Sequence, residues 1–269
     1  MREPLDAGDR WKIFHGDTLL LLPELEADTF DAVITDPPYS SGGQFRGDRT
    51  ALTKTKYTTE IDYGDFYGDT RDSRGFLAWA SLWLAECWRV TRAGGVIATF
   101  IDWRMLPTMT DAVQAGGWTW RGVVPWRKMS CRRMTGRFPH ECEYVVWGSK
   151  GGLDEDRGVD ANLPGFVQHL PVHHLSRTHL TEKPVEVMQQ INRITIPGAH
   201  ILDPFAGAGS TGVAAILDGR SFTGIELSAE YARMAGERIR AEEDNTTRQA
   251  TIAGQLGLFA GAALEDDFG

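Results

Sequence analysis

ILDPFAGAGSTGVAA (Ile201–Ala215) runs an apolar segment into an acid, a glycine-rich turn and a start of small residues. Its pattern predicts a strand over Ile201–Asp203, a turn over Pro204–Thr211 and a helix over Gly212–Leu217. Glycines let backbone approach a ligand closely, and the free amides at a helix N-terminus hold it. Phe222–Leu227 reads as the next strand. Glu226 stands near its end, 23 residues after Asp203, where an acid grips both hydroxyls of a ribose. Alone, this pattern suits a nicotinamide cofactor, a flavin or S-adenosylmethionine equally. It also suits a plain tight turn between strand and helix.

Upstream, short apolar runs alternate with helical-period segments. Trp11–Phe14, Asp31–Thr35, Val96–Phe100, Trp118–Trp126 and Tyr144–Trp147 read as strands. Leu19–Leu25 reads as a short helix. A longer one carries Phe76, Ala80, Trp83 and Cys87 on one face and stops at Ala93-Gly94-Gly95. Thr181 caps a helix with Pro184 in its first turn, running to about Thr195, and Ser228 caps another to Arg240. The alternation predicts an α/β fold with a largely parallel sheet. Residues 1–245 form the expected domain, with inserted segments at about 44–71 and 129–177; 246–269 reads as a flexible tail. A hydrophobic fraction of 42% against 24% charged is ordinary for a globular chain. No apolar run of membrane-spanning length and no signal peptide appear, so no membrane partner and a cytoplasmic location are expected. Three cysteines without a CxxC pair, and histidines at 169, 173, 174 and 179 in no common ligand spacing, point to no metal.

A second stretch, ITDPPYSSGG (Ile34–Gly43), ends an apolar strand on an acid and two prolines. The prolines forbid the strand to continue and remove backbone donors. Asp36 is left at a strand end, facing whatever binds there. The DPPY turn, DPFAGAGSTG and HLTEKP (His179–Pro184) together resemble the amino-methylating DNA methyltransferases. The order, catalytic motif before cofactor motif, resembles their β group, a circular permutation of the usual methyltransferase sheet. The likeness runs from Trp11 to Arg240. The family often has proline after the histidine and glutamine before the lysine of the third motif; here stand Leu180 and Glu182.

The resemblance implies a Rossmann-like, S-adenosyl-L-methionine-dependent fold. It implies site-specific methyl transfer to the exocyclic N6 of an adenine flipped out of double-stranded DNA, with cytosine N4 as the alternative. Aspartate at the first motif position usually accompanies adenine. Asp36 and the Pro37 carbonyl would each accept an N–H of the amine and free its lone pair. Pro38 would fix the turn, and Tyr39 would stack on the base. For the cofactor it implies Asp17 and Thr18 at the adenine, and Asp203, Phe205, Ala206, Gly207, Gly209, Ser210 and Thr211 along the methionine and ribose. Glu226 with Leu227 would take the ribose hydroxyls, and Asp36 and Lys183 would lie alongside.

A formal net charge of -9 by itself argues against a nucleic-acid partner. The bases, however, are clustered. Arg121, Arg127, Lys128, Arg132, Arg133 and Arg137 crowd one acid-free stretch, and Arg46, Arg49, Lys54 and Lys56 follow the DPPY turn. Each cluster reads as a DNA-facing patch or as a solvated face. In the tail, QLGLF (Gln255–Phe259) resembles the peptide by which bacterial proteins hook onto the replication sliding clamp. Docking on the chain's own domain, or a homodimer contact, explains its apolar residues as well. Three rival classes share part of this pattern. A nicotinamide oxidoreductase leaves DPPY unexplained. A methyltransferase for RNA or protein glutamine usually carries Asn in place of Asp36. A catalytically dead DNA-binding module does not need intact motifs.

Overall fold

Val33 and Ile34 point to opposite faces of one strand, and both are fully buried. Burial on both faces requires helices above and below, the layering of a parallel α/β sheet. The computed structural model describes residues 2–39, 71–129, 135–153, 158–159, 162–172 and 182–262, with side chains to 245 in the last segment.

Among the described residues, the strands are β1 (Asp6–Ala7), β2 (Trp11–His15), β3 (Phe30–Thr35), β4 (Thr91–Ile101), β5 (Thr119–Lys128), β6 (Cys142–Ser149), β7 (Val167–His169), β8 (His200–Asp203) and β9 (Ser221–Glu226). They form one sheet in the order β1-β2-β9-β8-β3-β4-β6-β5-β7. From β2 to β4 all neighbours are parallel, and β6 is antiparallel to both β4 and β5. The helices are α1 (Thr18–Leu21) with a 3-10 turn at Leu22–Glu24, α2 (Ser73–Val90), α3 (Leu106–Ala115), α4 (Val185–Asn192), α5 (Ser210–Leu217) and α6 (Ala229–Ala262).

Alternation sorts the core onto two faces. Ala32, Ile34 and Ile201 pack with Val187 and Met188 of α4, Ala214 of α5 and Ala235 of α6. Val33, Ile97 and Leu202 pack with Leu21 of α1, Trp83 and Leu84 of α2 and Met109 of α3. β8 and β3 are neighbours, but the chain leaves β8 toward β9 and leaves β3 toward β4. That divergence opens a crevice at their carboxyl ends, the usual ligand position in such sheets. Asp36 and Asp203 stand there although the chain separates them widely.

Several element bounds differ from the sequence reading. The helix ends at Val90, before Ala93-Gly94-Gly95, and the glycines lie inside β4. Thr91 ends it by donating its hydroxyl to the Cys87 carbonyl at 2.7 Å. Gly95 is needed for approach, since a Cβ there would sit 2.9 Å from the Asp31 carbonyl oxygen. Pro23 turns the end of the first short helix into the 3-10 turn. α6 runs to Ala262 rather than Arg240, so the backbone of 246–262 is helical, not irregular. That stretch has no proline to break the helix, and alanine is its commonest residue. Gln255–Phe259 falls within it, where side chains lie outside the described ones. β1, β7 and α3 were not read from the sequence. Among the described residues no helix is long and apolar enough to cross a membrane.

Candidate active site

The prolines end β3 as expected and leave Asp36 at the crevice. Its Oδ2 accepts from the Lys183 ammonium. Lys183 stands just before α4 and is only 6% exposed. Glu143, at the start of β6, brings its Oε2 to 3.4 Å from the same ammonium, while its Oε1 accepts from Lys128 at the end of β5. Two carboxylates and two ammoniums from four parts of the chain thus form one compact cluster. The Phe100 and Tyr39 rings wall it, with centroids 5.3 and 5.9 Å from Lys183 Nζ. Asp36 Oδ1 is buried and has no hydrogen-bond partner among the described residues.

Burial pushes the Asp36 carboxyl up, and Lys183 only partly offsets it; Glu143 adds to the rise. Burial acts on Glu143 the same way, but there Lys183 and Lys128 prevail and hold the carboxyl below its ordinary value. Burial alone would lower Lys183, yet Asp36 and Glu143 hold it above the usual ammonium range. Lys183 and Glu143 are therefore charged at neutral pH, while Asp36 is the group poised to take up a proton.

Across the crevice, Asp203 accepts from the Thr35 and Thr211 hydroxyls, each at 2.6 Å, and from the Phe205 amide at 3.0 Å. Burial lifts its carboxyl to about 6 despite these donors. Gly207 adopts φ +53°, and a Cβ there would meet nothing within 4 Å, so the turn borders open space. Glu226 Oε2 accepts from the Gly207 amide and Oε1 from the Ser228 amide, both at 2.8 Å. Each oxygen keeps a second lone pair, and burial raises this carboxyl too. Thr18 is buried and donates to the Pro204 carbonyl. Asp17 is exposed and caps α1 through the Leu19 amide at 2.9 Å. Ala206 is anchored by its amide on the Ile225 carbonyl. The Leu227 carbonyl lies 3.1 Å from His15 Nε2. Ser210 and Thr211 are buried in the first turn of α5.

For two assigned residues the structure shows a packing or ionic contact as well. Gly209 does not face open space: a Cβ there would lie 2.9 Å from Ala235, so this glycine lets α5 pack on α6. Lys183, expected alongside the cofactor with Asp36, has its ammonium on Asp36 and Glu143. Arg238, unforeseen in the sequence, ties the glycine turn to the lysine segment. It donates to the Ala208 carbonyl at 2.6 Å and pairs with Glu182 at 2.8 Å. Phe205 packs on Trp79 and Trp83 at 5.4 and 5.1 Å.

The basic patch is partly neutralised from across the hairpin. Arg127 pairs with Glu141 at 2.9 Å, and Lys128 turns onto Glu143; Arg137 is exposed. Arg46, Arg49, Lys54, Lys56, Arg132 and Arg133 lie outside the described residues. Beyond β4, at the edge that bears Asp36, Trp103 stacks on His140 with centroids 4.9 Å apart and planes at 11°. Asp102 holds that turn by accepting the Arg104 and Met105 amides at 3.0 Å each. Trp103 is 45% exposed and Phe138 94%. In the sequence Trp103 is marked only by its place just past a strand end, and Phe138 by nothing local.

Comparison with known proteins places these features in context. The profile of the DNA methylase family matches residues 30–237. The DNA adenine methyltransferase YhdJ of Escherichia coli (strain K12) is 28% identical over 270 residues, covering 88% of this chain and 85% of its own length. The crystal structure of the M1.HpyAVI–SAM complex superposes with a TM-score of 0.61 at 22% identity, covering 85% of this chain and 98% of that one. The cytosine-N4-specific PvuII DNA methyltransferase gives a TM-score of 0.64 at 17% identity, covering 90% and 94%.

Proposed function

The chain belongs to the DNA methylase family, and from that premise we propose that it moves a methyl group from S-adenosyl-L-methionine to the exocyclic N6 of an adenine flipped out of double-stranded DNA. At the coarser level it is a DNA methyltransferase of the N6/N4 type with a Rossmann-like, permuted sheet. The observation that carries methyl transfer to an exocyclic amine is the Asp36 carboxylate, clamped at Oδ2 and bare at Oδ1.

An exocyclic amine is a poor nucleophile because its lone pair is delocalised into the ring. Asp36 Oδ1 is a fixed acceptor for one N–H, and the Pro37 carbonyl serves the other. Two acceptors preorganised outside the ring plane favour a pyramidal nitrogen and localise the lone pair. Tyr39 supplies a stacking face for the extruded base. Glu226 and the open Gly207 turn suit a ribose and the chain beside it, with Asp17, Thr18, Asp203 and Phe205 around them. S-adenosyl-L-methionine supplies, when bound, an electrophilic methyl on a sulfonium. DNA affinity falls to Arg137, Arg127, the Trp103–His140 stack and the clusters outside the described residues.

Aspartate at position 36 and the similarity to an adenine enzyme favour adenine. Cytosine N4 is the competing outcome, because both amines offer the same two N–H donors. Asp36→Ala should abolish tritiated methyl incorporation into DNA while cofactor affinity persists. Activity within a few-fold of wild type would overturn the mechanism.

A further inference from the structure

Resting on the reading of Asp36 as acceptor for the target amine, we propose that Glu143, anchored by Lys128, is a positioning residue that keeps Lys183 held when Asp36 takes up the proton the amine sheds. The geometry is that of one ammonium between two acids. Lys183 donates to Asp36 Oδ2 and lies 3.4 Å from Glu143 Oε2, which has no hydrogen bond of its own. Lys128 occupies the other Glu143 oxygen and fixes the carboxylate in place.

The charges explain the arrangement. At rest, Asp36, Glu143, Lys183 and Lys128 sum to zero. In the proposed transfer the amine lone pair would take the methyl while the methyl–sulfur bond breaks and leaves its electron pair on a neutral thioether; the nitrogen would then be cationic, and one N–H proton passes to Asp36 Oδ1. Asp36 is then neutral and its hold on Lys183 weakens. A buried ammonium left without a carboxylate partner is costly. Glu143 lies within reach, so the hydrogen bond passes from Asp36 to Glu143 and the cation stays paired. The proton leaves Asp36 to solvent with the product, which resets the cluster.

Glu143 also acts on Asp36 before reaction. Among the described residues, the charged groups facing Asp36 are Lys183 ahead of α4, Glu143 on β6, Lys128 on β5 and Asp203 on β8, with Tyr39 in its own turn; Asp102 at the end of β4 faces Glu143. Removing the Glu143 charge leaves two cations beside Asp36 and makes it the weaker acceptor.

Glu143→Gln tests this. The Asp36 carboxyl carbon, followed by ¹³C NMR in the cofactor-free protein and assigned by its loss in Asp36→Asn, should titrate at lower pH in E143Q than in wild type. Turnover on DNA should fall at least tenfold, with its acidic limb moved to lower pH. Glu143→Asp keeps the charge but draws the oxygens back from Lys183. It should leave the midpoint near that of wild type and give intermediate turnover. An E143Q midpoint that is unmoved or higher, or turnover within twofold of wild type, would overturn the proposal. If E143Q does not fold, E143D decides: turnover as fast as wild type overturns it. Wild-type protein that methylates no DNA overturns the functional reading and the proposal with it, whereas an unmoved midpoint in an active wild type overturns the proposal alone.

Discussion

Thr35 donates its hydroxyl to Asp203 Oδ1 at 2.6 Å across 168 positions of sequence. The bond joins the last residue of β3 to the last residue of β8, at the point where the chain diverges from the two strands. It fixes the spacing between the turn that bears Asp36 and the turn that bears Gly207. On the proposed reading, methyl acceptor and cofactor meet across that gap, so a hydroxyl with no chemistry of its own sets their alignment.

Thr35→Val keeps the side-chain shape and removes the donor. Asp203 Oδ1 then retains the Phe205 amide alone. Stability measured by urea unfolding should fall by about 1–3 kcal/mol, the range for a hydrogen bond to a charged group. The KM for cofactor should rise as well. Unchanged unfolding would show that the strand ends need no such tie.

Asp203 predicts a pH dependence. Its carboxyl titrates near 6 in the folded chain against an ordinary value of 3.8. The native state therefore binds its proton more tightly than the unfolded state. The stability this gives is fully present below pH 3.8 and is lost as pH rises through about 6. The gap corresponds to about 3 kcal/mol. Matched urea titrations at pH 4 and pH 7 should show wild type losing on the order of that amount relative to Asp203→Asn. A difference between the two proteins that is the same at both pH values would contradict it.

Lys183→Met should destabilise the fold by about 3–5 kcal/mol, because it strands buried carboxylates. Asp36→Asn combined with Lys183→Met should restore much of that loss, without restoring methyl transfer. Additive losses in the double variant would mean that the two groups do not depend on each other.

How much of this was legible in the sequence depends on whether the partners of a residue are near it in the chain. Asp36, Gly207 and Glu226 were readable because each belongs to a local pattern: proline stops, a glycine turn, an acid at a strand end. The parallel sheet was readable from alternation, and β5 and β6 as strands. Glu143 carries no local signal. It matters only because β6 inserts antiparallel beside β4 and brings its first residues to Asp36. Lys183 is marked in the sequence by its motif, but nothing nearby tells that its ammonium meets an acid 147 positions away. The basic stretch around Arg127 and Lys128 looked unopposed because its acids, Glu141 and Glu143, lie on the partner strand. The α6 helix was cut short because small residues after Asn245 were read as a tail.

Glu226→Gln should weaken cofactor binding about tenfold to a hundredfold, the range expected when a hydroxyl loses a charged acceptor. DNA affinity in the absence of cofactor should stay within about twofold, since Glu226 lies on the far side of the crevice from Trp103 and Arg137. Calorimetry for the cofactor and fluorescence anisotropy for a DNA duplex separate the two. Equal loss of both affinities would show that Glu226 supports the fold rather than the ribose.

The central claim is that Asp36 Oδ1 accepts from an adenine amine during transfer. Wild type and Asp36→Asn are each incubated with DNA and S-adenosyl-L-methionine, and the DNA is digested to nucleosides and read by mass spectrometry. Wild type should yield N6-methyldeoxyadenosine, and Asp36→Asn should yield none above background while still binding cofactor. N4-methyldeoxycytidine from wild type, or N6-methyldeoxyadenosine from Asp36→Asn within a few-fold of the wild-type yield, would contradict the account.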